Sequence, residues 1–105
     1  MTADEFRRIA LGMKGAVEQA HMGHPDFRAF ARIFASIQTG ERGALKLTPE
    51  QQARFITRAP AAFMAESGAW GRQGWTRVIF ASADEETVGE ALTQIRSVGC
   101  GVLVL

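Results

Sequence analysis

Arginine and aromatic side chains in the middle of the chain are the residues whose types best suit a binding chemistry. Residues 26–80 carry eight lysines and arginines against four carboxylates, and seven of the eight cations are arginine. Guanidinium groups bind phosphates through paired hydrogen bonds, and a neighbouring tryptophan can stack on a nucleobase. The pattern therefore predicts a basic surface that binds DNA or RNA. The alternative is a solvated surface in which arginine side chains cover aromatic rings without any ligand.

Residue types that support catalysis or metal binding lack the neighbours that those chemistries need. His21, His24 and Asp26 have a spacing that a metal ion could use, but no second group of ligands follows them. Cys100 is a lone thiol beside the end of a predicted helix, where the helix dipole disfavours a thiolate. The glycines of residues 68–74 are not followed by the Gly-Lys-Ser/Thr ending of a phosphate-binding loop. We therefore expect no enzyme activity, no metal and no cofactor.

The length and composition are those of one globular domain. The 105 residues are 47% hydrophobic and 22% charged, which suits a single core. One cysteine excludes an internal disulfide and favours a reducing compartment. No apolar run reaches the ~20 residues of a membrane span, and the N terminus lacks the pattern of a signal peptide. We expect a cytoplasmic protein with no membrane partner.

Three segments carry the N-terminal capping signature of a helix. The signatures begin at Thr2, Thr48 and Ser82, each followed three residues later by glutamate or glutamine. Apolar residues continue at helical spacing after the first signature as far as Val17, and the third helix is predicted to end at Gly99.

Short apolar runs separated by turn residues predict strands. Residues 26–30, 33–37 and 44–47 form a predicted antiparallel meander, and residues 62–66 and 75–80 follow the second helix, separated by a glycine-rich turn. This order predicts a two-layer α+β domain. Its antiparallel sheet has about five strands, with the N- and C-terminal helices on one face and a short helix between strands 3 and 4.

Alternation along the strands separates a helix-covered face from an open face. In the strand at residues 75–80, Thr76 and Val78 point to one side of the sheet and the residues between them to the other. If the helices cover the first side, the other is basic and aromatic. The open face is predicted to carry Arg28, Phe30, Lys46, Trp75 and Arg77.

The predicted binding residues combine this face with the adjoining turns. The expected ligand is DNA, bound weakly and without strong sequence preference, because a pI near 8.0 is modest for a nucleic-acid-binding domain. The phosphates are predicted to contact Arg28, Arg32, Lys46, Arg72 and Arg77, with Trp75 as the stacking or anchoring aromatic.

Short motifs follow one another along the chain: HPDFR at 24–28, RIFA at 32–35, LKL at 45–47, PEQ at 49–51 and the segment from Gly68 to Thr76. This succession resembles the MmcQ/YjbR family of small bacterial proteins. The resemblance runs over roughly residues 6–98 and implies that residues 1–105 form one domain of this type. It also implies a fold similar to CyaY-like and secretion-chaperone-like domains, a DNA-binding label and no catalytic residues. The sequence departs from the family at residues 29–32 (AFAR), where the family has a glycine-containing turn.

The competing hypothesis is a protein-interaction module resembling secretion chaperones, with no nucleic-acid role. In this case the apolar tail at residues 101–105 matters, either as an edge strand that pairs with a partner or as a packing tail. The protein is expected to be a monomer or a weak homodimer. Phosphate binding weakens steeply as salt rises, whereas apolar strand pairing does not, so salt dependence separates the two hypotheses.

Overall fold

The protein folds as an antiparallel sheet with helices, which confirms the predicted α+β class. The computed structural model describes the backbone of residues 1–104 and the side chains of residues 1–95. The strands of the described part lie in the order β1-β2-β3-β4-β6-β5, and every neighbouring pair is antiparallel. The elements are α1 (Ala3–Leu11), β1 (Val17–His21), β2 (His24–Ala29), β3 (Arg32–Ile37), β4 (Arg42–Lys46), α2 (Pro49–Arg58), β5 (Phe63–Ala65), α3 (Gly68–Arg72), β6 (Trp75–Ile79) and α4 (Glu85–Val104).

Capping side chains begin the helices, and two of the three predicted caps are confirmed. The Thr2 hydroxyl accepts the backbone N–H of Glu5 at 3.1 Å, and the Glu5 carboxylate accepts the N–H of Thr2 at 2.7 Å. The same reciprocal pair begins α2 at Thr48. The third cap is Asp84 rather than Ser82, because the Asp84 carboxylate accepts the Thr87 N–H at 2.7 Å.

Helix α4 does not end at Gly99, which corrects the predicted C-terminal cap. Its backbone continues to Val104. The edge strand considered for residues 101–105 is therefore a helix as far as Val104. The side chains of residues 96–105, including the Cys100 thiol and the apolar tail, lie outside the described residues, so the predictions about them stay predictions.

Strand β1 and helix α3 were not predicted. The apolar spacing placed Val17 on the first helix, but α1 ends at Leu11 and Val17 begins β1. All five side chains of β1 are exposed, so the strand has no alternating apolar pattern to reveal it. The sheet therefore has six strands in the part of the chain that the structure describes, where about five are predicted. The predicted turn at residues 68–74 contains the short helix α3.

The core lies between helices α1, α2 and α4 and one face of the sheet. Phe6 of α1 packs against Phe80 with ring centroids 5.1 Å apart, and both rings are almost completely buried. Thr76 and Val78 are fully buried on this face, whereas Trp75 and Arg77 are half-buried on the other. The predicted alternation of β6 is confirmed. The described residues contain no helix that is both long and apolar enough to cross a bilayer.

The turn between β2 and β3 has an unusual sequence for its backbone. Ala29 pairs with Arg32, so the loop has two residues, and both have positive φ, 55° at Phe30 and 63° at Ala31. Positive φ at both central positions defines a type I′ turn, which favours asparagine and glycine. The turn therefore stores strain that a glycine would relieve.

Replacing Ala31 with glycine is expected to raise the free energy of unfolding by about 0.5–1 kcal/mol, because relief of the left-handed strain exceeds the entropy that glycine adds to the unfolded chain. The measurement is urea denaturation followed by circular dichroism. Ala20→Gly, in the exposed strand β1 where φ is not positive, is the control and is expected to destabilise the protein. A destabilised Ala31→Gly variant would contradict the strain argument.

Candidate binding cleft on the open sheet face

The sheet face opposite the core contains a cleft of about 550 Å³. This volume lies within the range of about 300–1,000 Å³ that small-molecule sites occupy. Strands β3, β4 and β6 form its floor. His21 at the end of β1 and His24 at the start of β2 also line it, and α3 contributes Trp70. The cleft thus combines aromatic, cationic and small side chains on one concave surface.

The depth of the cleft follows from small side chains in the two central strands. A row of directly opposed residues crosses the face from Asp26 through Ser36 and Ala44 to Arg77. Ser36 and Ala44 fill little space between the longer side chains at the two ends of this row. The bulge in the β2–β3 pairing helps to place a small side chain on the cleft floor. Phe34 and Ala35 both join the core, and the next residue, Ser36, faces the cleft.

Arg28 is held by a buried carboxylate beside the cleft. Asp26 is completely buried, and its two carboxylate oxygens accept the Nε and Nη2 groups of Arg28 at 2.8 and 3.1 Å. His21 Nδ1 forms a further hydrogen bond with Asp26 at 2.7 Å. The hydrogen bonds from Arg28 hold the pKa of Asp26 below its ordinary value, although burial opposes the shift. Arg28 is therefore engaged within the protein.

Arg77 is neutralised in a similar way by Glu66. Arg77 Nε donates to Glu66 Oε1 at 2.8 Å, and the other carboxylate oxygen accepts the Gln38 side-chain amide at 2.8 Å. Because Gln38 follows β3 and Glu66 follows β5, this network joins the two sides of the open face across β4 and β6. Glu66 also places a negative charge at the wall of the cleft.

Three of the predicted cations have no carboxylate partner among the described residues. Lys46 donates to the Gln73 carbonyl at 2.6 Å, and burial lowers its pKa. Arg72 is exposed on α3, and Arg32 is exposed at the start of β3. Lys46 lies directly opposite Trp75 in the sheet. None of the three cations is a lining residue of the cleft. Lys46 pairs with a tryptophan of the cleft across the sheet, and Arg72 shares helix α3 with Trp70.

Two tryptophans form the aromatic wall. Trp70 is 63% exposed, and its ring meets that of the half-buried Trp75 edge to face, with centroids 6.5 Å apart. Trp75 was a predicted site residue, but Trp70 was not, since α3 was expected to be only a turn. Phe30, predicted on the open face, instead occupies the β2–β3 turn and does not line the cleft. The turn breaks the alternation on which its placement relied.

Arg42 is a second cleft residue that the sequence interpretation missed. It precedes the predicted strand 44–47, but β4 begins at Arg42, so its side chain shares a face with Ala44 and Lys46. The alternating positions 42, 44 and 46 were the signal that could have revealed it. Within the described residues, no cluster of three or more histidine, cysteine, aspartate or glutamate side chains could hold a metal ion.

Comparisons with known proteins identify one family and one similar structure. A family model described as YjbR matches residues 11–95. The crystal structure of Deinococcus radiodurans protein DR2400, assigned to the domain family DUF419, superposes with a TM-score of 0.68 at 21% identity. The alignment covers 87% of this chain and 72% of that one, and at this identity it shows similarity of fold. No curated protein matches the chain significantly.

Proposed function

The chain belongs to the YjbR family, and we propose that its domain is a cytoplasmic binding protein rather than an enzyme, which binds single-stranded nucleic acid across the open sheet face. The observation that carries this proposal is the exposed Trp70 ring against Trp75, beside cations that have no carboxylate partner. Bases stack on exposed aromatic rings whatever their sequence, and nearby cations neutralise phosphates. We therefore propose binding without sequence preference.

The distribution of ion pairs supports weak binding, and it changes which cations we propose as phosphate contacts. Arg28 and Arg77 are tied to Asp26 and Glu66, so they contribute little net charge to the face. The contacts that remain are Lys46 and Arg72, with Arg42 at the other end of β4. About three phosphate contacts to a single strand correspond to a slope near −2 in a plot of log affinity against log salt.

Single strands fit the site better than duplexes. Bases in a duplex are stacked on their neighbours and leave no face for a tryptophan, whereas a single strand can turn each base outward. The cleft is concave, and Trp70 lies at its wall. We therefore expect an oligothymidylate to bind more tightly than a duplex of equal length.

The test uses the intrinsic fluorescence of the protein. The chain has two tryptophans and no tyrosine, and both tryptophans line the cleft. Titration with an oligothymidylate of about eight nucleotides, a common footprint of such sites, is expected to quench the emission at low salt and less at moderate salt. Lys46→Ala and Arg72→Ala should each weaken binding, whereas Arg54→Ala, which removes an exposed cation of α2, should not. No quenching at low salt would refute the proposal.

Neutralising Glu66 is expected to strengthen binding, whereas the lysine and arginine variants weaken it. Glu66→Gln removes the carboxylate that neutralises Arg77, so affinity for the oligothymidylate is expected to rise by about threefold to tenfold, with a steeper salt dependence. The measurement is the same titration across several salt concentrations. Glu50→Gln, at the start of α2, is the matched control and should leave the affinity unchanged. An unchanged or lower affinity in Glu66→Gln would show that phosphates do not reach this wall.

A protein partner remains a second candidate because one edge of the sheet is open. Strand β1 is the last strand on its side, and all five of its residues are exposed. Such an edge can pair with a strand of another protein or of a second copy. This contact would persist at high salt and would leave the tryptophan emission unchanged. Light scattering at low and high salt measures self-association directly.

A further inference from the structure

One cationic group in the cleft lacks a partner. Arg77 is paired with Glu66, but the Arg42 side chain forms no hydrogen bond or ion pair with any of the described residues. The Nε atom of Arg42 is buried without a hydrogen-bond partner. Buried polar atoms in folded proteins almost always have one. An oxyanion in the cleft would give this guanidinium the acceptor that the described residues do not supply.

Arg42 lies at one end of β4, and the aromatic wall lies beside the other end of this strand. Arg42 begins β4 and Lys46 ends it, directly opposite Trp75. Four residues of strand separate their positions by about 13 Å. The small side chain of Ala44 lies between them. A planar ring at the tryptophans and a phosphate at Arg42 are therefore compatible with one nucleotide lying along the strand.

The Arg42 end of the cleft is bounded by the β3–β4 turn. Gln38 and Thr39 of this turn line the cleft. The Thr39 hydroxyl oxygen accepts the backbone N–H of Glu41 at 3.0 Å, which leaves its proton available as a donor. The Gln38 amide is already engaged with Glu66. The turn thus offers a hydroxyl donor near the unpaired guanidinium.

From this arrangement we infer that the cleft binds the phosphorylated end of a single strand, with the terminal phosphomonoester at Arg42 and Thr39 and its base at the tryptophans. The inference rests on the proposed function and narrows its ligand. A terminal phosphomonoester carries more negative charge than an internal phosphodiester, about −1.5 to −2 at neutral pH. An unpaired guanidinium therefore favours the end of a strand over its interior.

The experiment compares three oligothymidylates of equal length, one without a terminal phosphate, one with a 5′-phosphate and one with a 3′-phosphate. Tryptophan quenching by the intact protein measures each affinity. At least one phosphorylated strand is expected to bind about fivefold to tenfold more tightly than the unphosphorylated strand, and the two phosphorylated strands show which end is recognised. Thymidine monophosphate and thymidine are two further probes, which test the cleft without a strand.

The variants separate this inference from the proposed function. Arg42→Gln is expected to abolish the preference for phosphorylated ends, and to weaken binding of the unphosphorylated strand less than binding of the preferred phosphorylated strand. Arg72→Gln is expected to weaken all three strands equally. Equal affinities in the wild-type protein, or a preference that survives in Arg42→Gln, would overturn the inference while the proposed function stands. Binding of thymidine monophosphate through Arg42 without binding of any strand would refute both the proposed function and the inferred recognition of a strand end, and would indicate a mononucleotide site instead. Binding of none of these probes would refute both.

Discussion

Replacing Gly74 with alanine is expected to lower the free energy of unfolding by more than about 4 kcal/mol or to prevent folding. The Gly74 backbone has a φ of 107°, which residues with a β-carbon rarely adopt. A β-carbon at this position would also lie 1.8 Å from the backbone carbonyl oxygen of Leu47. Gly74 and Leu47 are held together because the Leu47 N–H donates to the Gly74 carbonyl at 3.1 Å. Neither the conformation nor the contact can relax without breaking this junction.

The measurement is urea denaturation of purified Gly74→Ala followed by circular dichroism. Gly89→Ala is the control, because Gly89 lies within α4 and an added β-carbon would meet no atom within 4 Å. This control is expected to raise the free energy of unfolding by about 0.5–1 kcal/mol. If Gly74→Ala does not fold, Gly71→Ala provides a second test, since its β-carbon would lie 1.8 Å from the Glu66 carbonyl oxygen. Stability of both variants within about 1 kcal/mol of the wild type would contradict the close approach.

Features encoded within a few residues were predictable from the sequence. The capping boxes at Thr2 and Thr48 depend on two residues three positions apart, and both form as predicted. The alternation in β6 depends on one strand, and it assigned Trp75 and Arg77 to the correct face. In contrast, every side chain of β1 is exposed, so its sequence has no alternating apolar pattern that would predict a strand. Its position is set by backbone pairing with β2, which a local pattern does not contain.

The cleft depends on contacts between distant segments, so its location was less predictable. Its floor needs Ser36 and Ala44 to lie opposite each other, which only the register of β3 and β4 establishes. The neutralisation of Arg77 needs Glu66, which comes before α3 in the sequence, whereas Arg77 comes after it. The sequence predicted only a turn between these two residues. The ion pair between Asp26 and Arg28 could have been predicted from the sequence, because residues two apart on a strand share a face.

These ion pairs reduce the number of cations in the middle of the chain that are available to bind a ligand. Segment charge treats every cation as equal, whereas the structure divides them into paired and unpaired groups. Arg28, Arg58 and Arg77 each contact a carboxylate. Lys46, Arg42 and Arg72 have no carboxylate partner among the described residues and lie at the two ends of β4 or on α3. The charge available to a ligand is therefore smaller than the sequence indicates, and it is divided between the tryptophan end of β4, near Lys46 and α3, and the Arg42 end of the same strand.

Replacing Asp26 with asparagine is expected to lower the free energy of unfolding by about 2 kcal/mol near neutral pH. The completely buried carboxylate accepts two hydrogen bonds from Arg28 and forms one with His21. Asparagine keeps the size of the side chain but loses the negative charge and one acceptor oxygen. Asp4→Asn is the matched control, because that carboxylate is 91% exposed and its pair with Arg7 is expected to contribute less than about 1 kcal/mol.

The pH dependence identifies the charge of Asp26 as the source of this stabilisation. Because Arg28 lowers the pKa of Asp26 in the folded protein, the unfolded chain takes up a proton first as the pH falls. The stabilisation is therefore complete above the ordinary aspartate pKa of about 3.9 and is lost as the pH falls through the lower folded value. Urea denaturation at several pH values between about 5 and 2 should show that the difference between wild type and Asp26→Asn shrinks below about pH 4. A difference that stays constant into that acidic range would assign the stabilisation to packing instead of charge.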